Sequence, residues 1–455
     1  MTSPGRFAAL AILAGAAAMF ALRPAARLYE NGPGDVPRYA QMAYEMRQNP
    51  PSARLVPTFN GAPYHEAMPV SAWAPYAVAA LEGEVTPLSA RVLPALSAWL
   101  MVAVAMAFVR RRAGPRAALL AGGIVALSHL TYTYARSSRV EAPLALAVTA
   151  AIAAFWEGSE AAGPRRFGWY ALAGLAAAWA LCLKGPAAGT IVLALAPPLL
   201  WLRRWRALLE GGLVAGAVCV GATAAWAIPY RDYLGPEEWK RFWTQLVGHE
   251  TIDKVESGYG KAEPWYQYLL ELWPNFHVFL PPALLGLWRA LRRPREASPL
   301  ALLACAWVIL PTAALSAVSG KQIRYFVPLV PGFAILAALE VDRWLAGLGE
   351  GARRAERALL AVFGAGALAV TVYYAAILPL DAIQERSSQH LVLAEAVAPL
   401  VPREAPLAVL NPPTGPGEEI LQHSLLGLYL EHLQGAPRRV DLARPGAIPR
   451  EGFLL

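Results

Sequence analysis

The sequence predicts an α-helical membrane protein that crosses the bilayer about eleven times and carries a small α/β appendage at its C-terminal end. Three observations predict it. Of 455 residues, 56% are hydrophobic and only 16% charged, against roughly a quarter charged in soluble domains. The apolar residues fall in blocks long enough for a hydrocarbon core of about 30 Å, which takes about 20 helical residues. Those blocks lack the alternation of a membrane β-barrel, and lipid offers no water to unpaired backbone groups, so they must be helices.

The blocks place spans near 7–23, 85–109, 116–134, 140–157, 168–182, 186–202, 208–228, 273–290, 299–317, 325–345 and 357–379. The first resembles a signal peptide, but its Arg6 and Ala-rich end run into Arg23 and Arg27 with ten more spans behind them, so it reads as a retained helix. Arginine clusters occupy every second connection: Arg110, Arg111, Arg112 and Arg116; Arg165 and Arg166; Arg203, Arg204 and Arg206; Arg289, Arg292, Arg293 and Arg295; Arg353, Arg354 and Arg357. That alternation marks the cytoplasmic side and puts the N-terminus there, in what the Ala/Arg/Pro-rich, Lys-poor usage suggests is a bacterial inner membrane. All five lysines (Lys184, Lys240, Lys254, Lys261 and Lys321) fall in the outward connections.

The organisation predicted is a transmembrane domain over 1–380, with large outward loops at 24–84 and 229–272, and a small outward α/β domain over 381–455. The first loop holds an amphipathic helix from Arg38 to Arg47 and an apolar interfacial segment from Pro69 to Leu81. The tail reads as a helix (390–400), a strand (407–410), a helix (418–433) and a weak strand (438–442). The net charge of +8 lies beside the spans, which argues against nucleic acid as a partner. Cys182, Cys219 and Cys305 all lie within apolar blocks and read as small buried hydrophobes rather than a disulfide or metal site.

Polar residues at the outward ends of the spans are the candidates for chemistry. Asp35 stands on a Gly/Pro loop ahead of a helix, where it is either an N-cap or a general base able to take a proton from an attacking group. Arg38 and Tyr39 follow it, and Tyr64, His65 and Glu66 head the interfacial segment. Arg136, Arg139 and Glu141 cluster at an outward turn, where arginines run against the topology rule. The bland reading there is a self-contained Arg139–Glu141 pair; the alternative is contact with lipid phosphate. Lys184 is squeezed between two spans, and an ionisable group at that depth is a functional candidate. Lys321, Arg324 and Tyr325 sit at the mouth of another span, and with Lys184 they suit a leaving phosphate whose growing charge needs stabilisation. His249 is a weaker candidate in the second large loop.

In order along the chain, Asp35-Val-Pro-Arg38-Tyr39 with Glu45-Met46, Gly61-Ala-Pro-Tyr64-His65-Glu66 with Pro69 and Trp73, Arg136-Ser-Ser-Arg139-Val-Glu141, Leu183-Lys184-Gly185-Pro186, and Ser319-Gly-Lys321 through Arg324-Tyr325 to Pro328 and Pro331 resemble the motifs of one family. That family is the bacterial protein O-mannosyltransferase and aminoarabinose-transferase superfamily, integral-membrane glycosyltransferases of the GT-C fold. The resemblance implies inverting transfer of a sugar from a polyprenyl-phosphate donor to a lipid, glycan or protein acceptor on the outward face. It implies Asp35 as the base; the residues' own placement adds Glu141 as a catalytic carboxylate that orients the acceptor, Lys184, Lys321, Arg324, Arg136 and Arg139 at the donor phosphate, and Arg38, Tyr39, Tyr64, His65, Glu66, His249 and Tyr325 at the substrate. Val36 and Ala67 depart from the family pattern, and Glu141 stands where aspartate is usual. Losing a carboxylate at Val36 weakens a divalent site, which prefers several oxygen ligands, so no metal or other cofactor is assigned. A polytopic lipid transporter or flippase, and a non-catalytic relative that binds the lipid-linked sugar, are the competing classes; charges gathered on one face and the absence of two matching halves weigh against the transporter.

Overall fold

A computed structural model shows a predominantly helical chain. It describes residues 3–21, 36–50, 53–59, 62–65, 68–253, 256, 263–348, 351, scattered positions between 354 and 369, 389–402, 407–410, 430, 440–443 and 453–454. Asp35, Glu66, Val36's side chain and the side chain of His249 lie outside the described residues.

Helix α1 (Ser3–Phe20) is followed by α2 (Val36–Gln48), a two-residue hairpin of β1 (Thr58–Phe59) and β2 (Ala62–Pro63), and α3 (Val70–Glu82). The amphipathic helix and interfacial segment expected in the first loop correspond to α2 and α3. Helix α4 (Pro87–Leu127) opens with a capping box between Thr86 and Ser89, which satisfies backbone donors that a helix start leaves open. Gly114, at φ 85°, breaks it ahead of Pro115, a left-handed conformation that favours glycine. Gly122 then lies against the Met106 side chain, so the two halves fold back on each other as the separate blocks 85–109 and 116–134 predict.

The chain continues through α5 (His129–Ala135), α6 (Glu141–Glu160), α7 (Arg165–Lys184), a 3-10 turn at Gly185–Ala188, and α8 (Gly189–Trp201). Helix α9 (Trp205–Trp243) runs well past the expected 208–228 and breaks at Gly235, φ 80°, ahead of Pro236. A π-helical stretch, Thr244–Asp253, follows. The block expected as one span over 273–290 is instead interrupted. Helix α10 (Gln267–Phe276) contains Pro274, His277 takes φ 45°, and α11 (Leu280–Arg292) restarts with Pro281 in its first turn. Proline removes amide donors and crowds the preceding turn, so the apolar block carries a break that hydropathy alone conceals. Helix α12 (Pro299–Ser316), a 3-10 stretch (Ile323–Leu329) and α13 (Val330–Gly347) complete the bundle.

Among the described residues, six helical stretches are long and apolar enough to cross a membrane: 87–127, 141–160, 165–201, 205–248, 299–316 and 323–347. The expected span at 357–379 falls almost wholly outside the described residues. The core is built where helices pack closely. Helix α6 lies against α7 and α4, α7 against α9, α8 against α12, and α13 against α4 and α11. Small residues allow these approaches, since a β-carbon on Gly174 would meet the Ala215 carbonyl oxygen at 2.5 Å. Trp156, Trp307, Tyr170 and Phe326 fill the interior, and the Trp307 indole donates to the Pro328 carbonyl at 2.9 Å. On the outside of α9, Leu213 is 75% exposed, as expected of a side chain facing lipid.

At the C-terminal end, α14 (Gln389–Val397) precedes a parallel three-stranded sheet ordered β4-β3-β5. Strand β3 (Leu407–Leu410) pairs with β4 (Val440–Ala443) and β5 (Phe453–Leu454). The last strand is not foreseen by the sequence reading, and the helix expected over 418–433 lies outside the described residues except at position 430.

Candidate active site

Four of the candidate residues converge from three separate elements. Glu141 is the first residue of α6, where a carboxylate is favoured by the helix dipole. Lys184 is the last of α7, held there by the sharp turn at Gly185, φ 40°. Arg324 and Tyr325 come from the 3-10 stretch before α13. The Lys184 ammonium donates to Glu141 Oε1 at 2.7 Å, and Arg324 Nε stands 3.6 Å from the same oxygen. Lys184 Nζ also lies 4.6 Å from the centre of the Tyr325 ring, a cation–π distance. The Glu141 side chain is only 3% exposed. Its other oxygen, Oε2, is buried and has no hydrogen-bond partner among the described residues.

Around this cluster Ser137, Ser138 and Arg139 are buried, Arg136 is half-buried, and Tyr134 lies within electrostatic reach of Glu141 and Arg324. Glu141 thus pairs across the bundle with Lys184 and Arg324, partners that the local Arg139–Glu141 reading does not supply.

Lys321 does something different. It is buried, and its ammonium donates to the backbone carbonyls of Val318 at 2.7 Å and Glu263 at 2.9 Å. The Glu263 amide donates to the Ser319 carbonyl at 3.1 Å, and Ser319 Oγ donates to the Glu256 carbonyl at 2.9 Å. Tyr268 accepts from the Gln322 amide at 3.1 Å, and burial raises its phenol pKa above the usual value. Lys321 therefore fastens the end of the second large loop to the turn before Arg324. Two of its three donors are spent on carbonyls, so a phosphate role for it is weakened.

The first-loop residues form a second group. Tyr39 and Tyr64 pack on a small core of Met42, Met46, Phe59 and Ala72. Arg38 donates to the Tyr64 hydroxyl, and its guanidinium carbon is 5.5 Å from the Tyr64 ring centre. His65 Nε2 is 2.8 Å from Glu238 Oε2, which ties this hairpin to α9 beyond its Gly235 break. Glu238 is held in turn by Arg241 at 2.7 Å. A cavity of about 520 Å³ opens here, lined by Tyr64, His65, Glu237, Lys240, Arg241 and neighbours.

Glu238 and Tyr134 stand beside the candidate residues without being predicted from the sequence, and Arg91 is a further buried charge that it does not single out. Glu238 had no signal of its own among the charges of its loop. Arg91 is 2% exposed in the second turn of α4, and a charge inside an otherwise apolar block is the signal that marks it.

Residues 29–244 match the family described as dolichyl-phosphate-mannose-protein mannosyltransferase. An undecaprenyl phosphate-alpha-4-amino-4-deoxy-L-arabinose arabinosyl transferase of Pseudomonas fluorescens is 30% identical over 321 residues, 68% of this chain and 54% of the relative. The corresponding transferase of Edwardsiella ictaluri is 30% identical over 318 residues, 68% of this chain and 55% of the relative. The chain is a relative of the aminoarabinose and mannosyl transferases. It spans about half the length of the curated relatives it matches. The crystal structure of ArnT from Cupriavidus metallidurans bound to undecaprenyl phosphate superposes with a TM-score of 0.73 at 21% identity, covering 95% of this chain and 85% of that one. The Archaeoglobus fulgidus oligosaccharyltransferase superposes at 0.59 with 14% identity, covering 98% and 62%. At those identities the likeness establishes the fold, a multi-pass membrane architecture of the GT-C type.

Proposed function

We propose that the chain is an inverting glycosyltransferase that moves a sugar from a polyprenyl-phosphate donor to a lipid, glycan or protein acceptor on the outward face of a bacterial inner membrane. The observation that carries this reading is the gathering of half-buried Lys184, Arg324 and Tyr325 around buried Glu141, whose second carboxylate oxygen is unpartnered among the described residues. A buried polar atom without a partner is rare and calls for a ligand or water. Here a donor from a bound substrate would supply it.

In this reading Asp35 accepts the proton of the acceptor's hydroxyl or amine as that group attacks the anomeric carbon. The bond from the anomeric carbon to the phosphate oxygen breaks, and the polyprenyl phosphate leaves with the electron pair. Lys184 and Arg324 carry two positive charges against one on Glu141, so the cluster keeps a net charge of +1 to meet the growing phosphate charge. Glu141 holds the two cations close together, Arg136 and Arg139 add positive charge beside them, and Tyr325 supplies an aromatic face. Arg38, Tyr39, Tyr64, His65, Glu66 and His249 are proposed to line the substrate approach. The orientation proposed puts the N-terminus in the cytoplasm, about eleven spans over residues 1–380, and an outward α/β domain over 381–455.

The test is transfer from a radiolabelled polyprenyl-phosphate sugar in vesicles, comparing the parent chain with Asp35→Asn and Lys184→Met. Both variants are expected to lose transfer, and Asp35→Asn to keep binding the donor. Undiminished transfer by folded Asp35→Asn would show that the base is another group. Mass spectrometry of polyprenyl-phosphate sugars in cells with and without the chain identifies the donor by its accumulation.

A further inference from the structure

At the other end of the bundle the arginines do more than mark topology. Glu141 opens α6, and Glu157 lies sixteen residues on, about 24 Å away at 1.5 Å per residue. There Arg112 bonds Glu157 at 2.9 Å and Glu160 at 2.6 Å, and it also lines a cavity of about 700 Å³ set between α4, α11, the turn after it, and α13. The charges on that cavity do not balance. With Arg112 held by Glu157 and Glu160, and Asp342 taken by Arg116 from outside the lining, Arg289, Arg292, Arg293 and Arg343 are left with two carboxylates, Glu340 and Glu296, the latter 3.3 Å from Arg293. Glu340 is shared by Arg289 at 2.8 Å and Arg343 at 2.9 Å. Arg292 has no carboxylate partner among the described residues, and its guanidinium carbon lies 5.0 Å from the ring centre of Trp288.

A second cavity of about 700 Å³ adjoins the first and shares Arg289, Glu340 and Arg343 with it. Its remaining lining is Pro281, Pro282, Leu285, Val341, Trp344, Gly347 and Leu348, apolar apart from the shared charges. It follows the seam where α11 and α13 run side by side, where a β-carbon on Gly286 would meet the Leu336 carbonyl oxygen at 2.8 Å. Leu285 and Trp344 are 40% and 56% exposed on that seam, and tryptophan is characteristic of the level where headgroups meet hydrocarbon.

We infer that these two cavities form one binding site for an anionic glycerophospholipid, its phosphate among Arg289, Arg292 and Arg293 and an acyl chain along the α11–α13 groove. A basic pocket between helices at the headgroup level suits such a lipid. A free phosphate uses only the first cavity, and a zwitterionic lipid brings a cation that offsets its phosphate among the surplus arginines. The cytoplasmic placement rests on the orientation proposed above, but the site itself and its assay are independent of sugar transfer.

The full chain is reconstituted in phosphatidylcholine nanodiscs doped with dioleoyl-phosphatidylglycerol, and retained lipids are counted by native mass spectrometry. The parent is expected to retain phosphatidylglycerol in preference to phosphatidylcholine. At about fivefold per arginine, Arg292→Gln with Arg293→Gln is expected to weaken that retention by about 30-fold. Leu285→Trp, which fills the groove without changing charge, is expected to weaken it as well and stands in if the double variant fails to fold. Arg203→Gln with Arg206→Gln, on the same face away from the cavity, is expected to leave it unchanged. Equal retention of the two lipids by the parent, parental retention by the folded arginine variant or by Leu285→Trp, or displacement of phosphatidylglycerol by millimolar inorganic phosphate would each overturn the proposal.

Discussion

Lys184→Met probes the charge cluster around Glu141 most directly. At 2.7 Å and an effective dielectric of about 20, the Lys184–Glu141 attraction is worth roughly 6 kcal/mol gross; Arg324, at 3.6 Å, contributes roughly 5. Desolvation of the Glu141 carboxylate, 3% exposed, opposes most of this. Removing one member of a buried pair typically costs about 3–5 kcal/mol. Here Arg324 remains to compensate Glu141, and Lys184 is 25% exposed, so about 2–3 kcal/mol is the expected loss. Glu141→Gln alone leaves two cations facing each other without the charge that holds them. Lys184→Met with Glu141→Gln removes both partners, and the double variant is expected to regain about 2 kcal/mol relative to the sum of the singles. Unfolding titrations in mixed micelles, followed by tryptophan fluorescence, measure all four members of the cycle, and sugar transfer in vesicles is read on the same preparations. Stability is expected to return in the double variant while transfer does not. A coupling energy near zero would refute the pair as a structural unit. A folded double variant that still transferred sugar would remove the cluster from the active site.

Four further outcomes follow from separate positions in the fold. Lys321→Met is expected to free the end of the second large loop, raising hydrogen exchange at residues 263–266 at least tenfold (about 1.4 kcal/mol), with unchanged protection around Trp307 showing that the core is intact. Gly174→Val forces α7 off the Ala215 carbonyl and is expected to cost about 1–3 kcal/mol in the same unfolding titration. Gly212→Ala, on a helix position with nothing within 4 Å, is expected to be neutral or to stabilise by up to about 1 kcal/mol. Tyr268→Phe loses the bond from the Gln322 amide and is expected to cost about 1 kcal/mol at neutral pH. Because burial raises the Tyr268 phenol above its ordinary value of 10, its stabilising share is whole below pH 10 and lost as pH climbs beyond it. The difference between parent and Tyr268→Phe is therefore expected to shrink in alkaline titrations.

Hydropathy located the helices well where a block was both long and uninterrupted. The predicted 140–157 and 299–317 lie close to α6 and α12, because burial in lipid and burial in protein both demand apolar side chains there. It failed where apolar residues coexist with backbone that cannot continue a helix. Pro274, Pro281 and Pro282 are hydrophobic enough to pass within the block 273–290, yet they split it at His277. The reverse holds at Gly114 and Gly235, where punctuation is visible but its outcome is decided by contacts. Gly122 against Met106 shows the first to be a reversal, a fact carried by two residues far apart in sequence.

The candidate site was legible as a set of residue types and not as a set of partnerships. Placing Glu141, Lys184, Arg324 and Tyr325 on one face needed only the alternation of arginine loops. Their assembly into one cluster needed α6, α7 and the stretch before α13 to meet, with Lys184 and Glu141 43 positions apart. Lys321 shows the cost of reading charge without geometry. Its position three residues before Arg324 made it a natural partner for a phosphate, yet Val318 and Glu263 offer it two carbonyls that a buried ammonium would otherwise leave unanswered. A lysine so engaged can still govern the reaction by fixing where Arg324 and Tyr325 stand. Loss of transfer in Lys321→Met with retained donor binding would place it in that positioning role, whereas loss of donor binding would return it to the phosphate.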